Sequence, residues 1–526
     1  MRGSWKDLGH GRTWVTEGEG LMFVSPLKHL GVHGMAALAF LTMGTPAPAA
    51  DRSTTIVVSQ GSDVLTLDPM LDTSPISVNV FRNIFDALTR IAADGSVTPL
   101  LAESWTTSED TKTWEFKIRG NVTFHNGQPL TVEDVVWSYQ RLAAETKSPV
   151  RTYINKVKSV EAAGPDKVKF TLSEPFAPFD RQASLISILP KQAFEQIGAA
   201  KFAVEPVGSG PFKVVRWVKD DNIELAAFEQ YWGGAPKFKT LIFRPVPSAT
   251  TRAAALSSGE LDVVPILPPA LVDTLGSRKG LRVEKVSSNK VVYLGFDVKN
   301  PTLSDLRIRQ AIDLAINRNV LTSRLLRGLG KPSGQVVAPV TFGYSPDIKP
   351  TEFDPARAKE LVAASGYKGE KIVLQYPNNN LAFGEEVAQA IANYLGQVGI
   401  NIELQGMEYS AFFPLWANRK LNGLHLFAYG PSIMDADQII GSLYDSTGRV
   451  YWIDQKVQEL AQQQRGERNK DRRRALIAEI LKLSKDNVPY APLYDEMHAY
   501  GIQDRVKWEP RPDERLFFQD AEIVKK

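Results

Sequence analysis

The sequence predicts an α/β protein with more than one domain. Residues 371–376, 385–398 and 400–405 are typical of a strand, a helix and a strand, and a crossover of this length favours a parallel strand pair. Near residue 208, a Gly-Ser-Gly-Pro turn precedes two short apolar runs that predict neighbouring strands. The chain has 526 residues, of which 43% are hydrophobic and 23% charged, and this is enough for two or three domains with separate cores.

The amino-acid composition argues against several classes of function. The formal net charge is only +3, so no excess charge draws the protein to nucleic acid or to an anionic membrane. The sequence contains no cysteine, which excludes disulfides, thiolate catalysis and cysteine-based zinc sites. Three of the six histidines precede residue 34, and His125, His425 and His498 are far apart in sequence. A histidine-based metal site or catalytic centre therefore has little support.

The first 50 residues have the character of a leader followed by an export signal. Lys28 and His29 precede an apolar segment, residues 35–43, and Ala47-Pro48-Ala49 fits a small-residue cleavage site. The apolar segment is shorter than the about 20 residues that span a bilayer. We therefore expect a mature periplasmic chain that starts near residues 49–52, with an uncleaved anchor or a buried helix as alternatives.

Two further features concern this leader. Met22 and Met35 are alternative starts of translation, since the residues before them have no clear pattern. No cysteine follows the apolar segment, so a lipid-anchored lipoprotein is excluded.

The first half of the mature chain predicts alternating strands and helices. Thr131 is typical of a helix N-cap, with Glu133 and Asp134 favourable near the positive end of the helix. We expect strands at 55–59, 113–118, 212–218, 223–228 and 241–246, a hairpin over 157–172, and helices over 78–88, from residue 131, and over 248–258.

The second half continues the α/β pattern. Asp354 and Pro355 are typical of an N-cap and a first helical residue, and Gly366 of a helix end. Besides the strand–helix–strand unit, we expect strands at 291–296, 424–428 and 490–494, and helices over 303–327, 355–366, 454–464 and 468–485.

Motifs of common enzyme classes do not support catalysis. Gly208-Ser209-Gly210 lacks a third glycine, and Pro211 leads into a strand rather than a helix N-terminus, so a phosphate-binding loop is not expected. Gly330-Lys331 is followed by Pro332 where a P-loop has serine or threonine. The sequence has no G-x-S-x-G, H-E-x-x-H or EF-hand motif.

Several separate blocks occur in one order: Phe124-His125-Asn126-Gly127, Glu133-Asp134-Val135-Val136, Gly208-Ser209-Gly210-Pro211-Phe212, Tyr231-Trp232 and residues 306–318. Together they resemble the family 5 extracellular solute-binding proteins, the receptor subunits of peptide and nickel ABC importers. The resemblance covers about residues 55–494. In this setting His125 is expected to be structural.

The resemblance implies a two-lobed periplasmic binding protein fold of the class II type. The first lobe would comprise residues 51–286, with an extra subdomain at about 86–200, and would be completed by residues 487–526. The second lobe would comprise residues 287–486, and a ligand would bind between the two lobes. The resemblance further implies a monomeric receptor without enzymatic activity, cofactor or metal. Its partners would be a small-molecule or peptide ligand, an inner-membrane ABC permease and the ATPase subunits of that permease.

The resemblance also implies ligand contacts in the second lobe. In peptide-binding members, an aromatic residue is followed three positions later by an aspartate that holds the amino terminus of the peptide. Here the aromatic residue is Tyr429, and Ser432 stands in the place of the acid. Asp435 is the nearby carboxylate, although its place in the family pattern implies a structural role.

Further contacts follow from the same comparison. Thr73 and Ser74 match a ligand-facing position in the first lobe, and Asn380 lies in an uncharged segment where a basic anchor is expected. A peptide held by its termini would lose charge-assisted bonds worth about 1.5–3 kcal/mol each. We therefore expect an uncharged or weakly charged organic solute, such as a modified peptide, a glycoside or an opine-like compound. A periplasmic enzyme and a chaperone-like or signalling receptor on the same fold are the alternatives.

Overall fold

The structure is a computed structural model and describes residues 4–7, 12–15, 51–378 and 381–524. The predicted export signal and Asn380 lie outside the described residues. The chain divides into two units, residues 1–50 and residues 51–526. No helix among the described residues is both long enough and apolar enough to cross a membrane.

The strands, numbered in chain order, are β1 (Ser4–Asp7), β2 (Arg12–Val15), β3 (Thr55–Gln60), β4 (Thr89–Ile91), β5 (Val97–Pro99), β6 (Ala102–Thr107), β7 (Thr113–Ile118), β8 (Val157–Ala162), β9 (Lys167–Leu172), β10 (Phe212–Val218), β11 (Asn222–Ala227), β12 (Thr240–Pro245), β13 (Val263–Val264), β14 (Leu281–Phe296), β15 (Gly330–Pro332), β16 (Ile372–Pro377), β17 (Ile402–Met407), β18 (Leu424–Tyr429), β19 (Tyr490–Gln503), β20 (Val506–Lys507) and β21 (Glu522–Ile523). In the first unit, β1 pairs with β2 in antiparallel orientation.

The α-helices, numbered likewise, are α1 (Pro75–Ile84), α2 (Val132–Ala144), α3 (Phe179–Gln182), α4 (Lys191–Ile197), α5 (Ala199–Phe202), α6 (Ala249–Ser258), α7 (Pro269–Gly276), α8 (Leu306–Ala315), α9 (Arg318–Val320), α10 (Pro355–Ser365), α11 (Gly384–Gln397), α12 (Tyr409–Ala417), α13 (Ala436–Leu443), α14 (Gln455–Gly466) and α15 (Lys470–Asn487).

One large sheet runs through the second unit. Its strand order is β10-β11-β12-β3-β13-β19-β14-β18-β16-β17, and β15 pairs with β19. β12 and β13 lie parallel to β3 on one side, and β16 and β17 form a parallel pair on the other. β14 and β19 lie between these sides and pair with each other along nearly their whole length. These two strands are therefore the connections between the two lobes.

The pairing of β14 with β19 marks where the chain crosses. Its register shifts between Ser287 and Val291. Val286 packs against the first-lobe core, whereas Val292 and the following residues belong to the second-lobe core. Residues 490–494 also pack in the second-lobe cores. The lobe boundaries stay predictions, and these contacts favour a second crossing near residue 495 rather than residue 487.

The first lobe carries a smaller sheet in the region of the predicted extra subdomain. Its strand order is β6-β7-β9-β8, and Phe116, Phe170 and Phe179 pack beneath it with ring centroids 5.2–6.1 Å apart. The hairpin expected over residues 157–172 is confirmed as β8 and β9. Helix α2 begins with a capping box, in which the Thr131 side chain accepts a bond from the Asp134 amide and the Asp134 carboxylate accepts one from the Thr131 amide. The predicted N-cap is therefore confirmed.

The Gly-Ser-Gly turn lies against the end of α1. A Cβ atom on Gly210 would lie 2.6 Å from the carbonyl carbon of Ile84, so the close approach requires glycine. His125 Nδ1 accepts a hydrogen bond from the Gly208 amide at 3.1 Å, and its Nε2 donates to the Gly210 carbonyl at 2.9 Å. Burial lowers the pKa of His125 to about 4, so the ring is neutral. The structural role expected for His125 is confirmed.

The second lobe confirms the strand–helix–strand unit as β16, α11 and β17, and it confirms the Asp354 cap of α10. The single helix predicted over residues 303–327 is wrong, because α8 ends at Ala315 and Ile316 is extended. The buried Arg318 explains the break. Its guanidinium donates to the carbonyls of Asp313 at 2.9 Å and Pro492 at 2.7 Å, and a continuing helix would have bonded the first of these internally.

Candidate ligand site between the lobes

Three charged side chains fasten the lobes together, and we call them the interlobe triad: Arg181 of the first lobe with Asp435 and Arg473 of the second. Arg473 donates to both carboxylate oxygens of Asp435, at 2.8 and 2.5 Å. Arg181 Nε lies 3.3 Å from Asp435 Oδ2, and its Nη1 donates to the carbonyls of Gly95 at 2.8 Å and Met434 at 3.2 Å. The structure therefore shows the lobes in contact, with these buried charges paired.

The contacts within the interlobe triad indicate that Asp435 has a structural role. Burial favours the neutral carboxyl, but the Arg473 and Arg181 guanidiniums outweigh it and hold the pKa of Asp435 below its ordinary value. Asp435 is fully buried and also caps α13 by accepting a bond from the Asp437 amide at 2.9 Å. Because both of its oxygens are already bonded, the ligand contact predicted for Asp435 is not supported, and we leave it out of the proposed site.

A different group of arginines lines a narrow cavity of about 30 Å³. We call it the arginine cavity, after Arg82, Arg90 and Arg515. Its remaining lining residues are Phe85, Asp86, Thr89, Ile91, Leu100, Ser184, Leu185, Ser432, Asp513 and Phe517. Ser432 belongs to the second lobe and the others to the first lobe and its C-terminal segment. The cavity therefore lies where the two lobes meet.

The arginines of this cavity are poorly paired. Arg90 Nη1 donates to Gln519 at 3.3 Å and the guanidinium lies 4.9 Å from the centroid of the Phe517 ring, but Arg90 Nε is buried without a partner in the described structure. The side chains of Arg82 and Arg515 form no hydrogen bond or ion pair with any residue that the structure describes. Burial and the neighbouring Arg515 lower the pKa of Arg82 to about 9.

The two acids of the cavity form no hydrogen bond or ion pair with the side chains of these arginines in the described structure, although Asp513 opposes the lowering of the Arg82 pKa and Arg90 opposes the raising of the Asp86 pKa. Asp513 accepts bonds from Arg511 Nε at 2.9 Å and Nη2 at 2.6 Å. Asp86 accepts bonds from the Tyr231 hydroxyl at 3.2 Å and the Trp232 indole at 3.0 Å, and burial raises the pKa of Asp86 to about 6. The arginine cavity therefore keeps an excess of positive charge.

A second cavity, of about 20 Å³, shares Arg82, Leu185 and Arg515 with the first. Thr73 and Tyr153 line it, and Thr73 is half-buried. The structure thus places the predicted residues Thr73 and Ser432 in adjoining cavities. We call this second space the Thr73 cavity.

Ser74 lies beside this site but is bonded within its own turn. Its hydroxyl caps α1 by accepting from the Ser77 amide at 3.4 Å and donates to Asp72 at 2.8 Å. Asp72 also accepts a bond from the Ser77 hydroxyl at 2.6 Å. Ser74 therefore shapes the start of α1, and a ligand contact by its side chain stays a prediction.

Tyr429 stands at the end of β18, on another part of the interface. Its hydroxyl lies 2.8 Å from Ser442 Oγ, and its ring centroid lies 5.8 Å from that of Trp416. Ser442 lines a larger space of about 740 Å³, in which Arg465 pairs with both Asp437 and Asp445 at 3.2 Å. Tyr429 is half-buried, and stacking of a ligand on its ring stays a prediction.

A cluster of ionisable side chains lies beside the crossing strands, and we call it the hinge cluster: Lys290, Glu496, His498 and Glu514. Lys290 Nζ lies 2.6 Å and His498 Nε2 lies 2.8 Å from Glu514 Oε1. Glu496, His498 and Glu514 bring three possible metal-ligand atoms within 4.8 Å of one another. The ammonium of Lys290 supplies positive charge to these carboxylates, so ion pairing accounts for the cluster.

The arginines are the residues that sequence reasoning missed. Arg82 lies among buried residues of α1, and a charged residue in such an apolar helix is a signal that the sequence does contain. Arg515 carries no comparable signal, because its place beside Arg82 depends on contacts between segments more than 430 positions apart. The residue pattern along the sequence cannot show that two such distant side chains lie close together.

Comparisons with known proteins agree on one family. The sequence profile of bacterial extracellular solute-binding proteins, family 5 middle, matches residues 96–450. The glutathione-binding protein GsiB of Escherichia coli K12 is 28% identical over 427 residues, which cover 78% of this chain and 82% of that protein.

Solved structures give the same fold. The ABC transporter substrate-binding protein CtaP of Listeria monocytogenes superposes with a TM-score of 0.81 at 21% identity, over 90% of this chain and 99% of that one. HbpA2 of Haemophilus parasuis also gives a TM-score of 0.81, at 23% identity, over 90% of this chain and all of that one. The expected two-lobed fold is confirmed.

Proposed function

This chain belongs to the family 5 bacterial extracellular solute-binding proteins, and we propose that it captures a small organic solute between its lobes and delivers it to the permease of an ABC importer. The observation that carries the proposal is the pair of adjoining cavities at the place where the lobes meet. Both cavities are narrow in this structure, at about 30 and 20 Å³, so a solute has to widen them when it binds.

Closure of the lobes is the proposed mechanism. β14 and β19 act as the hinge, and the interlobe triad and the single second-lobe residue of the arginine cavity, Ser432, come into place when the lobes meet. A ligand shifts the open–closed equilibrium only by its differential affinity for the closed state. Contacts made by both lobes supply that difference, because the open form cannot make them all.

The ligand class is proposed from the relatives and from the site. The GsiB relative is named for binding glutathione, a modified tripeptide. We propose that this chain takes a peptide-derived or comparable organic solute. The permease and ATPase subunits are proposed partners, and the periplasm, reached through a signal cleaved near residues 49–52, is the proposed location.

Binding is proposed in preference to turnover. The family consists of binding proteins. In the arginine cavity, the Ser184 hydroxyl donates to the carbonyl of Arg181 at 2.6 Å, so it is not activated by a neighbouring base. Incubation with peptide and ester substrates should therefore leave them intact.

Scattering tests the proposed closure. The solute that stays with the natively purified protein would be identified by mass spectrometry, removed by dialysis and added back. We expect the radius of gyration to decrease on addition. A solute that binds by calorimetry and leaves the radius of gyration unchanged would contradict lobe closure.

A further inference from the structure

We propose that the ligand carries at least one carboxylate, and that Arg82 and Arg515 bind it in the arginine cavity. The inference rests on the proposed receptor function and adds to it the chemical class of the solute. It replaces the uncharged solute expected from the sequence, because that expectation looked for a basic anchor only near Asn380.

The pairing of charges carries the inference. Three guanidiniums and two carboxylates line the cavity, but Asp513 is bonded to Arg511 outside this set, and Asp86 is bonded to Tyr231 and Trp232. Charges withdrawn from water in folded proteins are normally paired, because an isolated charge is costly away from water. Arg82 and Arg515 are half-buried and lack such a partner among the described residues, and a bound anion would supply it.

The neighbouring Arg90 supports the same conclusion independently. Its Nε is buried without a hydrogen-bond acceptor in the described structure, although its Nη1 is bonded to Gln519. A guanidinium presents several N–H donors in one plane and binds carboxylates through two of them at once. The cavity therefore offers free N–H donors, and a ligand carboxylate would accept hydrogen bonds from them.

The walls favour an organic acid over an inorganic anion. Phe85, Leu100, Leu185 and Phe517 line the same cavity as the arginines. Apolar side chains contact carbon, whereas a site for free phosphate or sulfate needs polar donors around the whole ion. The Thr73 cavity continues past Arg82 and Arg515, so the carbon body of a solute whose carboxylate is bound by these arginines would extend toward Thr73.

The location of the arginines predicts that the carboxylate binds before the lobes close. Arg82 lies on α1 and Arg515 in the C-terminal segment, both outside the second lobe, whereas Ser432 is the one second-lobe residue that lines the cavity among those the structure describes. The anion site is therefore complete in the first lobe before closure. A carboxylate binds there first, and closure then adds the second-lobe contact.

Thermal unfolding with matched solutes tests the anion site directly. The mature full-length chain would be titrated with disodium succinate and with succinamide, which has amides in place of both carboxylates, at constant ionic strength adjusted with NaCl. We expect succinate to raise the melting temperature and succinamide to leave it unchanged. Arg82→Gln and Arg515→Gln should each weaken the succinate response about ten- to a hundred-fold in midpoint concentration.

An exposed arginine provides the control. Arg357 pairs with Glu360 on the surface of α10, so Arg357→Gln should retain the wild-type response to succinate. Two variants are included because either one alone could fail to fold, which its own melting curve would reveal. Equal effects of succinate and succinamide, or an unchanged succinate response in both cavity variants, would overturn the proposal. Stabilisation by phosphate equal to that by succinate would overturn the assignment to a carboxylate.

Scattering separates this inference from the receptor function. If a neutral solute binds and compacts the protein, and Arg82→Gln binds it normally, the receptor function stands and the carboxylate assignment fails. If succinate binds through the arginines without any decrease in the radius of gyration, the anion site stands and the proposed closure fails.

Discussion

The interlobe triad and the arginine cavity lie in the same interface and contain the same kind of charge, yet they are bonded differently. In the triad, Arg473 donates to both oxygens of Asp435, and Arg181 is bonded to the same carboxylate and to backbone carbonyls. In the cavity, Arg82 and Arg515 have no such partner in the described structure. The difference teaches that arginines at one interface can be bonded within the protein or left without a partner, and we propose that the second kind binds the ligand.

Removal of a charged side chain should therefore change the free energy of unfolding in opposite directions in the two regions. Removing one member of a buried ion pair leaves an uncompensated charge and is strongly destabilising. Removing a buried charge that has no partner relieves a desolvation penalty and can stabilise the protein while it harms binding. The predictions below test this contrast, beginning with the largest expected effect.

The largest effect is expected in the triad. Asp435→Asn leaves the Arg181 and Arg473 guanidiniums without a carboxylate and should lower the free energy of unfolding by about 3–5 kcal/mol. Urea denaturation measures the change. The control is Asp471→Asn, which removes the partner of the exposed Arg474 and should change stability by less than about 0.5 kcal/mol. A loss below about 1 kcal/mol for Asp435→Asn would contradict the role assigned to the triad.

The hinge cluster is expected to make the stability of the protein depend on pH. Burial lowers the pKa of His498, but the Glu496 and Glu514 carboxylates outweigh it and raise the pKa above its ordinary value, with Lys290 opposing them. Protonated His498 therefore stabilises the fold below about pH 6.5, and this contribution is lost as the pH rises through the folded-state pKa.

The measurement is the free energy of unfolding between pH 7 and 9. Asp86 and Asp495, whose pKa values burial raises to about 6, are already ionised in this range. Wild-type stability should fall by up to about 1.4 kcal/mol per pH unit, and His498→Gln should remove this slope. The same slope in the variant would show that another group is responsible.

In the arginine cavity, unlike the interlobe triad, removal of a charge is expected to stabilise the ligand-free protein. Arg82→Met removes a half-buried cation whose pKa desolvation and Arg515 lower to about 9, so the ligand-free protein should gain up to about 1 kcal/mol of unfolding free energy. Arg473→Met is the matched variant in the triad and should lose stability, because Asp435 then keeps only Arg181. Urea denaturation of both ligand-free variants makes the comparison. Similar losses in both would show that Arg82 has a structural partner.

The smallest effect is expected at Tyr429. Tyr429→Phe removes the bond between its hydroxyl and Ser442 and should cost about 1 kcal/mol of unfolding free energy. Because Tyr429 lies outside both cavities at Arg82, the response to succinate should not change. Ser442→Ala and the double variant complete a cycle, and the double variant should cost little more than either single one. A tenfold weaker response to succinate in Tyr429→Phe would bring this residue into the site.

The fold was largely predictable because local patterns determine its elements. The Thr131 capping box, the Asp354 cap and the strand–helix–strand unit at β16, α11 and β17 all depend on residues close in sequence. The failure at residues 303–327 has the opposite cause. Arg318 ends the helical run by bonding the carbonyl of Pro492, a contact between residues 174 positions apart that periodicity does not register.

The site was predictable only in part. Thr73 and Ser432 were identified by resemblance, and they lie in adjoining cavities. The charge of the site could not be predicted, because Arg82 and Arg515 lie more than 430 positions apart in sequence. Asp435 shows the limit from the other side, since a carboxylate near a binding segment is uninformative until its partners Arg181 and Arg473 are known.

The position of β19 has a consequence for how this protein is made. β19 contributes residues 490–503 to the middle of the main sheet, between β13 and β14, and pairs with strands of both lobes. Just after it, Arg505 bonds both oxygens of Asp262 at 2.8 and 2.7 Å and the carbonyl of Thr55 at 2.8 Å. Neither lobe can complete the main sheet until residues 490–503 are available, so a chain that stops before β19 stays incompletely folded.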